Sequence, residues 1–204
     1  SNQLRLWSMA NFGDDFLANV RQGNIYYWDE SEGTGTAATA LSDITRRTVT
    51  LSNDPVTTAS GSTVITIIDK AGHGATAGDT VTISGVDATI GGITAARLNV
   101  EMTVASVTNK ATFTVDIGGS PDASSTATGG GSAVVATYKA GTYYTPTAAH
   151  QVMMSDVARH VIAFGCNEIG ATTINPLLVR WSSSEAAGVW QPLSTNSAGG
   201  QELS

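Results

Sequence analysis

A strand-pair signature occurs near the start of the chain and again near its end, and it constrains the fold more than any other feature. The first copy is Phe16-Leu-Ala-Asn-Val-Arg-Gln-Gly-Asn-Ile-Tyr-Tyr-Trp-Asp29. The second is Val161-Ile-Ala-Phe-Gly-Cys-Asn-Glu-Ile-Gly170, followed by Pro176-Leu-Leu-Val-Arg-Trp-Ser182. Each is an apolar strand, a polar turn with Gly or Asn, and a second strand ending in Trp and a small polar residue. Turn residues between such runs mark hairpins, because Gly and Asn accept backbone angles that other residues resist. Two related hairpins flanking a different β segment read as one repeat domain carrying an insert.

The flanks and the middle differ in pattern. In residues 1–30, Leu4 and Leu6, then Phe16, Ala18 and Val20, then Ile25, Tyr27 and Trp28 mark strands around the turn chemistry of Asn11–Asp15. Ser31–Ala40 is small, polar and poor in core residues, as a boundary is. From about Arg46 to Tyr138 the period is two. Val49 and Leu51, Val81 and Ile83, then Phe113, Val115 and Ile117 alternate with Thr, Ser or Asp, and Val100, Met102 and Val104 form a longer strand face. Such strands bury one face and solvate the other. Gly85, Gly91-Gly92, Gly118-Gly119 and Gly129–Gly131 punctuate them. A second boundary falls at Lys139–Pro146. The expected fold is all-β, with 1–30 and 146–204 forming one discontinuous domain and 31–145 a small antiparallel barrel or sandwich inserted in it. Ser182-Ser-Ser-Glu185 matches a helix capping box, but Gly188 and Pro192 leave room for one helical turn at most.

Charge and cysteine usage exclude several function classes. The 204 residues carry a formal net charge of −7, opposite to the basic face that a general grip on nucleic acid requires. The only basic doublet, Arg46-Arg47, reads as a solvated strand edge. The single cysteine, Cys166, rules out an internal disulfide and sits in an apolar run, as a buried inert thiol does. No stretch approaches the roughly 20 apolar residues that span a bilayer, and no signal peptide opens the chain. The chain starts Ser1-Asn2 and ends Leu203-Ser204 in a strand-like context, so a segment of a longer polypeptide is expected.

A search for chemistry finds little. The histidines His73, His150 and His160 are far apart, and neither His-x-x-x-His nor Cys-x-x-Cys occurs, so no zinc site is expected. His73 lies in a Gly-rich turn, and His160 alternates with Ile162 and Phe164 as a core-facing residue does. Asp14-Asp15, Asp29-Glu30 and Asp54 could offer oxygens to calcium, but no spaced calcium loop is present and solvated turns are the simpler reading. No Gly-x-Ser-x-Gly elbow occurs. Gly72–Gly78 and Thr128–Ser132 lack phosphate-loop spacing and read as hairpin turns. No catalytic residue, metal or cofactor is therefore assigned. The aromatics Tyr26, Trp28, Tyr143, Tyr144, Trp181 and Trp190 are candidates for an interaction surface, but because each ends an apolar strand, core anchors are the favoured reading. Core anchoring further predicts that Trp28 and Trp181 occupy equivalent, mostly buried positions.

The segments Trp7–Phe16, Ile25–Asp29, Arg159–Gly165 and Pro176–Ser182, continuing into Trp190-Gln-Pro-Leu and Thr195–Gly199, resemble the propeller-like structural proteins of tailed bacteriophages, in particular tail nozzle or hub proteins. The intervening Gly72–Gly85, Gly91-Gly-Ile93, Leu98-Asn99 and Thr112–Val115 look like the small β domain called FCCH, first named in ubiquitin-activating enzymes and common as an insert in phage virion proteins. The resemblance implies a non-enzymatic component of the virion tail. Its partners would be copies of itself and other tail proteins, and genomic DNA would pass an acidic lining without specific binding. The alternative class is a receptor- or glycan-binding adhesion module that uses the aromatic clusters.

Overall fold

The computed structural model describes residues 6–119 and 123–204. Contacts divide the chain into a discontinuous unit, Ser1–Arg46 with Ala140–Ser204, and an inserted unit, Arg47–Lys139. Both are built from antiparallel strands, as the alternation requires, and the one α-helix among the described residues is the four-residue Ala95–Leu98.

The discontinuous unit contains two four-stranded antiparallel meanders. The first is β1 (Trp7–Phe12), β2 (Asp15–Val20), β3 (Ile25–Trp28) and β4 (Thr39–Ala40), paired in that order. Phe12 pairs with Asp15, leaving a two-residue loop in which Gly13 takes φ +69°, as tight hairpins demand. The chain re-enters the unit at Ala140 and forms β13 (Ala149–Met154), β14 (Val161–Asn167), β15 (Ile174–Trp181) and β16 (Gly199–Glu202), again in order. Leu17, Ile25 and Leu41 pack with Ala149, Val152, Val161, Ala163, Cys166 and Trp190 in one core.

The inserted unit is one open sheet of eight strands. It comprises β5 (Thr45–Thr50, which begins just before the contact boundary), β6 (Val56–Thr57), β7 (Val64–Ile68), β8 (Thr80–Ser84), β9 (Glu101–Asn109), β10 (Thr112–Asp116), β11 (Thr128–Gly129) and β12 (Val135–Lys139). Their spatial order is β11-β6-β7-β10-β9-β8-β12-β5. Ile65, Ile67, Val81, Ile83, Val104, Phe113, Val115 and Tyr138 come from strands across that sheet yet share one core, so the sheet curls around its apolar face. The other face is threonine-rich, with cross-strand pairs Thr57–Thr128 at 3.0 Å and Ser106–Thr114 at 2.8 Å. Curling does not reach closure: among the described residues no pairing joins β11 to β5, so of the expected barrel or sandwich the closed barrel is not formed.

The unit boundaries also differ from the composition breaks. Thr39-Ala40 completes the first meander through Tyr26↔Ala40 and Tyr27↔Thr39, and Leu41 is buried in that unit's core. Ala140 N–H donates to Ile44 O at 2.9 Å and Gly141 N–H to Ser42 O at 2.8 Å. Residues 31–46 and 140–145 thus belong by contact to the discontinuous unit, because a short strand can be recruited by backbone pairing without an apolar side chain of its own. The 182–185 capping box forms no helix. Ser183 instead bridges Ala186, with Glu185 at φ +56°.

Candidate functional site

The two meanders repeat each other in detail. Asn19, at the end of β2, is fully buried, and its amide donates to Val20 O and Gly23 O, both at 3.0 Å. Asn167, at the end of β14, is equally buried and donates to Glu168 O at 3.3 Å and Ala171 O at 2.7 Å. In both, the carbonyls lie one and four residues beyond the Asn, so one side chain fixes the turn into the third strand. Each Asn oxygen is taken up by the first strand's side of its sheet, from Ser8 Oγ at 3.3 Å in the first and from Thr147 N and Ala148 N in the second. A Phe precedes each Asn by three positions, Phe16 and Phe164. This Phe-x-x-Asn pair was visible in the sequence, but the unequal distance from Asn to the following Trp obscured it.

The tryptophans repeat too. Trp28 and Trp181 end the third strands, and each indole N–H donates to a backbone carbonyl on the return to the fourth strand, Thr36 O at 3.1 Å and Ser197 O at 2.9 Å. Gly199 stands opposite Trp181 in register, and a Cβ there would lie 2.7 Å from the ring. Both indoles are half-buried rather than mostly buried, which corrects the expectation of core anchors. Their rings lie on the sheet faces turned away from the Leu17 and Ala163 side.

A clasp joins the first meander to the second. The β2–β3 turn grips the start of β13: Gln22 N–H donates to Ala149 O at 2.8 Å, Ala149 N–H to Gly23 O at 3.2 Å, and Asn19 Nδ2 reaches Ala149 O at 3.4 Å. Ser8 Oγ accepts from Val152 N at 2.9 Å beside it.

The remaining aromatics do not assemble into one platform. Trp190 is 1% exposed, and its face lies under the Arg180 guanidinium at 5.9 Å. Arg180 is itself buried and donates to Asn167 O at 3.1 Å and to Tyr144 O. Burial lowers its pKa. Arg180 therefore ties three sequence segments together, a role its position in an apolar run did not announce. Tyr143 and Tyr144 meet edge to face at 4.9 Å, with Tyr143 exposed, and Tyr26 is half-buried on β3.

A cleft of about 480 Å³ opens in the discontinuous unit beside Tyr27, Asp29, Glu32, Asp43, Arg46 and Glu185. The Tyr27 hydroxyl donates to Asp15, and burial together with that carboxylate raises its pKa well above the usual tyrosine range. The wall is mainly anionic, which disfavours phosphate or acidic sugar.

The titratable candidates are occupied structurally. His73 lies in the loop between β7 and β8, as expected, and its side chain is buried there. Ala75 N–H donates to its Nδ1 at 3.0 Å, so the proton sits on Nε2, which donates to Asn109 O at 2.9 Å. His160 Nδ1 lies 2.7 Å from Ser182 O, and His150 Nε2 lies 3.5 Å from Gln22 Nε2. Arg47 is not a solvated edge. It pairs with buried Asp69 at 2.8 Å, which also accepts from Tyr138 Oη at 3.0 Å and Ala71 N at 3.1 Å. Cys166 is buried against Leu178 O, and burial pushes its thiol up to about 11 despite the opposing charge of Arg180. Among the described residues no three His, Cys, Asp or Glu side chains converge as a metal site, and no helix is long and apolar enough to cross a membrane.

No protein-family profile matches the chain, and no curated protein matches it. Among solved structures it is similar to a phage phi92 endosialidase, with 26% identity and a TM-score of 0.37, over 65% of this chain and 18% of the endosialidase chain. The chain thus spans less than a fifth of that protein's length. An overlap at that TM-score carries no argument for fold or function.

Proposed function

We propose that the chain is a non-enzymatic structural component of a phage virion, belonging to the tail at the nozzle or hub, and that it works through protein–protein contact. The observation that carries the reading is the repeated meander with its clasp: two copies of one four-stranded unit, joined by backbone bonds. Four-stranded meanders repeated in this way are the building blocks of propellers. The resemblance of Trp7–Phe16, Ile25–Asp29, Arg159–Gly165 and Pro176–Ser182 to phage tail proteins supplies the biological setting. On this reading the inserted unit is the FCCH-like scaffold domain and folds on its own. The partners are further copies and other tail proteins. The net charge of −7 keeps passing DNA from adhering. No cofactor is required, and the histidines and Cys166 serve packing.

The exposed Tyr143 beside Tyr144 is the one feature that favours the adhesion alternative, since a paired aromatic edge can stack on a sugar. Trp7 on β1 is also exposed, but among the described residues no ring contact joins it to the Tyr143–Tyr144 pair. Antibody-gold labelling of intact virions with an antibody to the inserted unit tests the assignment. Label clustered where the tail meets the capsid or at the tail hub is the expected result. Label confined to distal fibres, or no label on particles, would reject it.

A further inference from the structure

Arg180 is a buried cation without an anion. It is 3% exposed, and two of its five N–H donors go to the carbonyls of Asn167 and Tyr144. The other three have no acceptor among the described residues, and no described carboxylate lies within ion-pair distance of the guanidinium. Cys166 beside it brings no charge, because burial keeps its thiol protonated. The Trp190 ring at 5.9 Å offers a π face but no counter-charge. Desolvated charges are as a rule paired, since nothing else offsets the hydration they lose. Arg180 also lines a pocket of about 320 Å³, with Leu178, Ile169 and Pro192 as apolar walls, Glu168 at its edge and Gly200 opposite. Ala163, Arg180 and Gly200 stand in register across β14, β15 and β16, so Arg180 and Gly200 lie on the side of the sheet that carries the shared core. A Cβ on Gly200 would come within 3.0 Å of Arg180 Cγ, so the glycine keeps the space over the arginine stem open.

We infer that this pocket binds a carboxylate attached to a short apolar group, the carboxylate accepting from Arg180 and the apolar group lying against Leu178, Ile169 and Pro192. The inference goes beyond the structural role proposed above and does not rest on it. A guanidinium fits a carboxylate better than any other side chain does, because its donors form a planar fork. Glu168 narrows the choice of anion. Its own carboxylate repels a doubly charged phosphate or sulfate, while it can accept an amide N–H next to a single carboxylate. The volume is at the small end of the range for ligand pockets, so one residue-sized group is admitted and a polymer is not. Such a group has two sources, a free N-acylated amino acid or the C-terminal residue of a polypeptide, and both present the same carboxylate.

Titration calorimetry on the whole chain tests this with N-acetyl-leucine and with N-acetyl-leucinamide, which lacks only the charge. The acid should bind saturably at one site, and the amide at least about tenfold more weakly, as the loss of a charge-assisted hydrogen bond implies. A short Gly-Ser peptide ending in a free leucine carboxylate separates the sources. Binding of that peptide as tight as the small acid's assigns the site to a polypeptide terminus, and binding of the small acid alone assigns it to a free acid. Arg180 ties three segments together, so the variants leave it in place. Gly200→Ala fills the space over its stem, and Ile169→Asp adds a negative charge at an exposed wall. Circular dichroism melting identifies which of them fold, and each folded variant should lose at least about tenfold in affinity for the acid. No binding of either carboxylate probe, equal binding of acid and amide, or wild-type affinity in a folded variant would overturn the inference.

Discussion

Replacing Asp69 by Ala should destabilise the inserted unit more than any comparable change on its surface. The Asp69 side chain is 2% exposed and Arg47 is 27% exposed, with 2.8 Å between them. Removing the carboxylate leaves the guanidinium, the Tyr138 hydroxyl and the Ala71 N–H short of their acceptor at once. Breaking a fully buried pair costs about 3–5 kcal/mol, and the partial access of Arg47 to water places this case at the lower end, about 3 kcal/mol. For a unit of this size about 1 kcal/mol shifts the midpoint by roughly 4–8 °C, so a fall on the order of 12–24 °C is expected. Calorimetry of the full chain, following the transition assigned to the inserted unit, reads it. The double change Arg47→Met with Asp69→Leu should recover much of the loss, since matched apolar groups leave no stranded charge. A single Asp69→Ala variant melting within a few degrees of wild type would refute the network.

Other expectations concern the discontinuous unit. Asn19→Ala and Asn167→Ala should each cost about 1–3 kcal/mol in chemical denaturation, the penalty for buried groups left without partners; if either is neutral, its turn does not depend on the lock. Trp28→Phe and Trp181→Phe should cost nearly equal amounts, about 1 kcal/mol for one indole hydrogen bond, and clearly unequal losses would break the equivalence of the meanders. Cys166 should resist alkylation in the native state and react only on unfolding. With its folded pKa raised to about 11, the unfolded chain loses the proton first, so stability should fall as pH rises from about 9 towards 11 and should not depend on this thiol below that window. A Cys166→Ala variant with an unchanged alkaline profile would contradict the burial argument.

Periodicity made much of the fold legible. Phe113 and Val115 are fully buried while Thr112 and Thr114 are not, as strict alternation dictates. The Trp-plus-polar ending correctly paired Trp28 with Trp181, because the strand end and its return are local features. Burial of those rings was not local: it depends on what covers the outer sheet faces. Arg47 looked solvated because its partner Asp69 lies far along the chain, brought close by sheet order that alternation does not encode. His73 sits in the loop that its glycines mark, but its burial was not legible there, because the ring that packs against it at 5.0 Å, Phe113, comes from a distant strand.

A side-chain-resolution reconstruction of the assembled tail tests the central claim most directly. The account predicts this chain in symmetric copies within the tail, its two meanders continued by a neighbouring sheet. Finding the chain in a host-contacting spike, with sugar stacked on Tyr143, would contradict it.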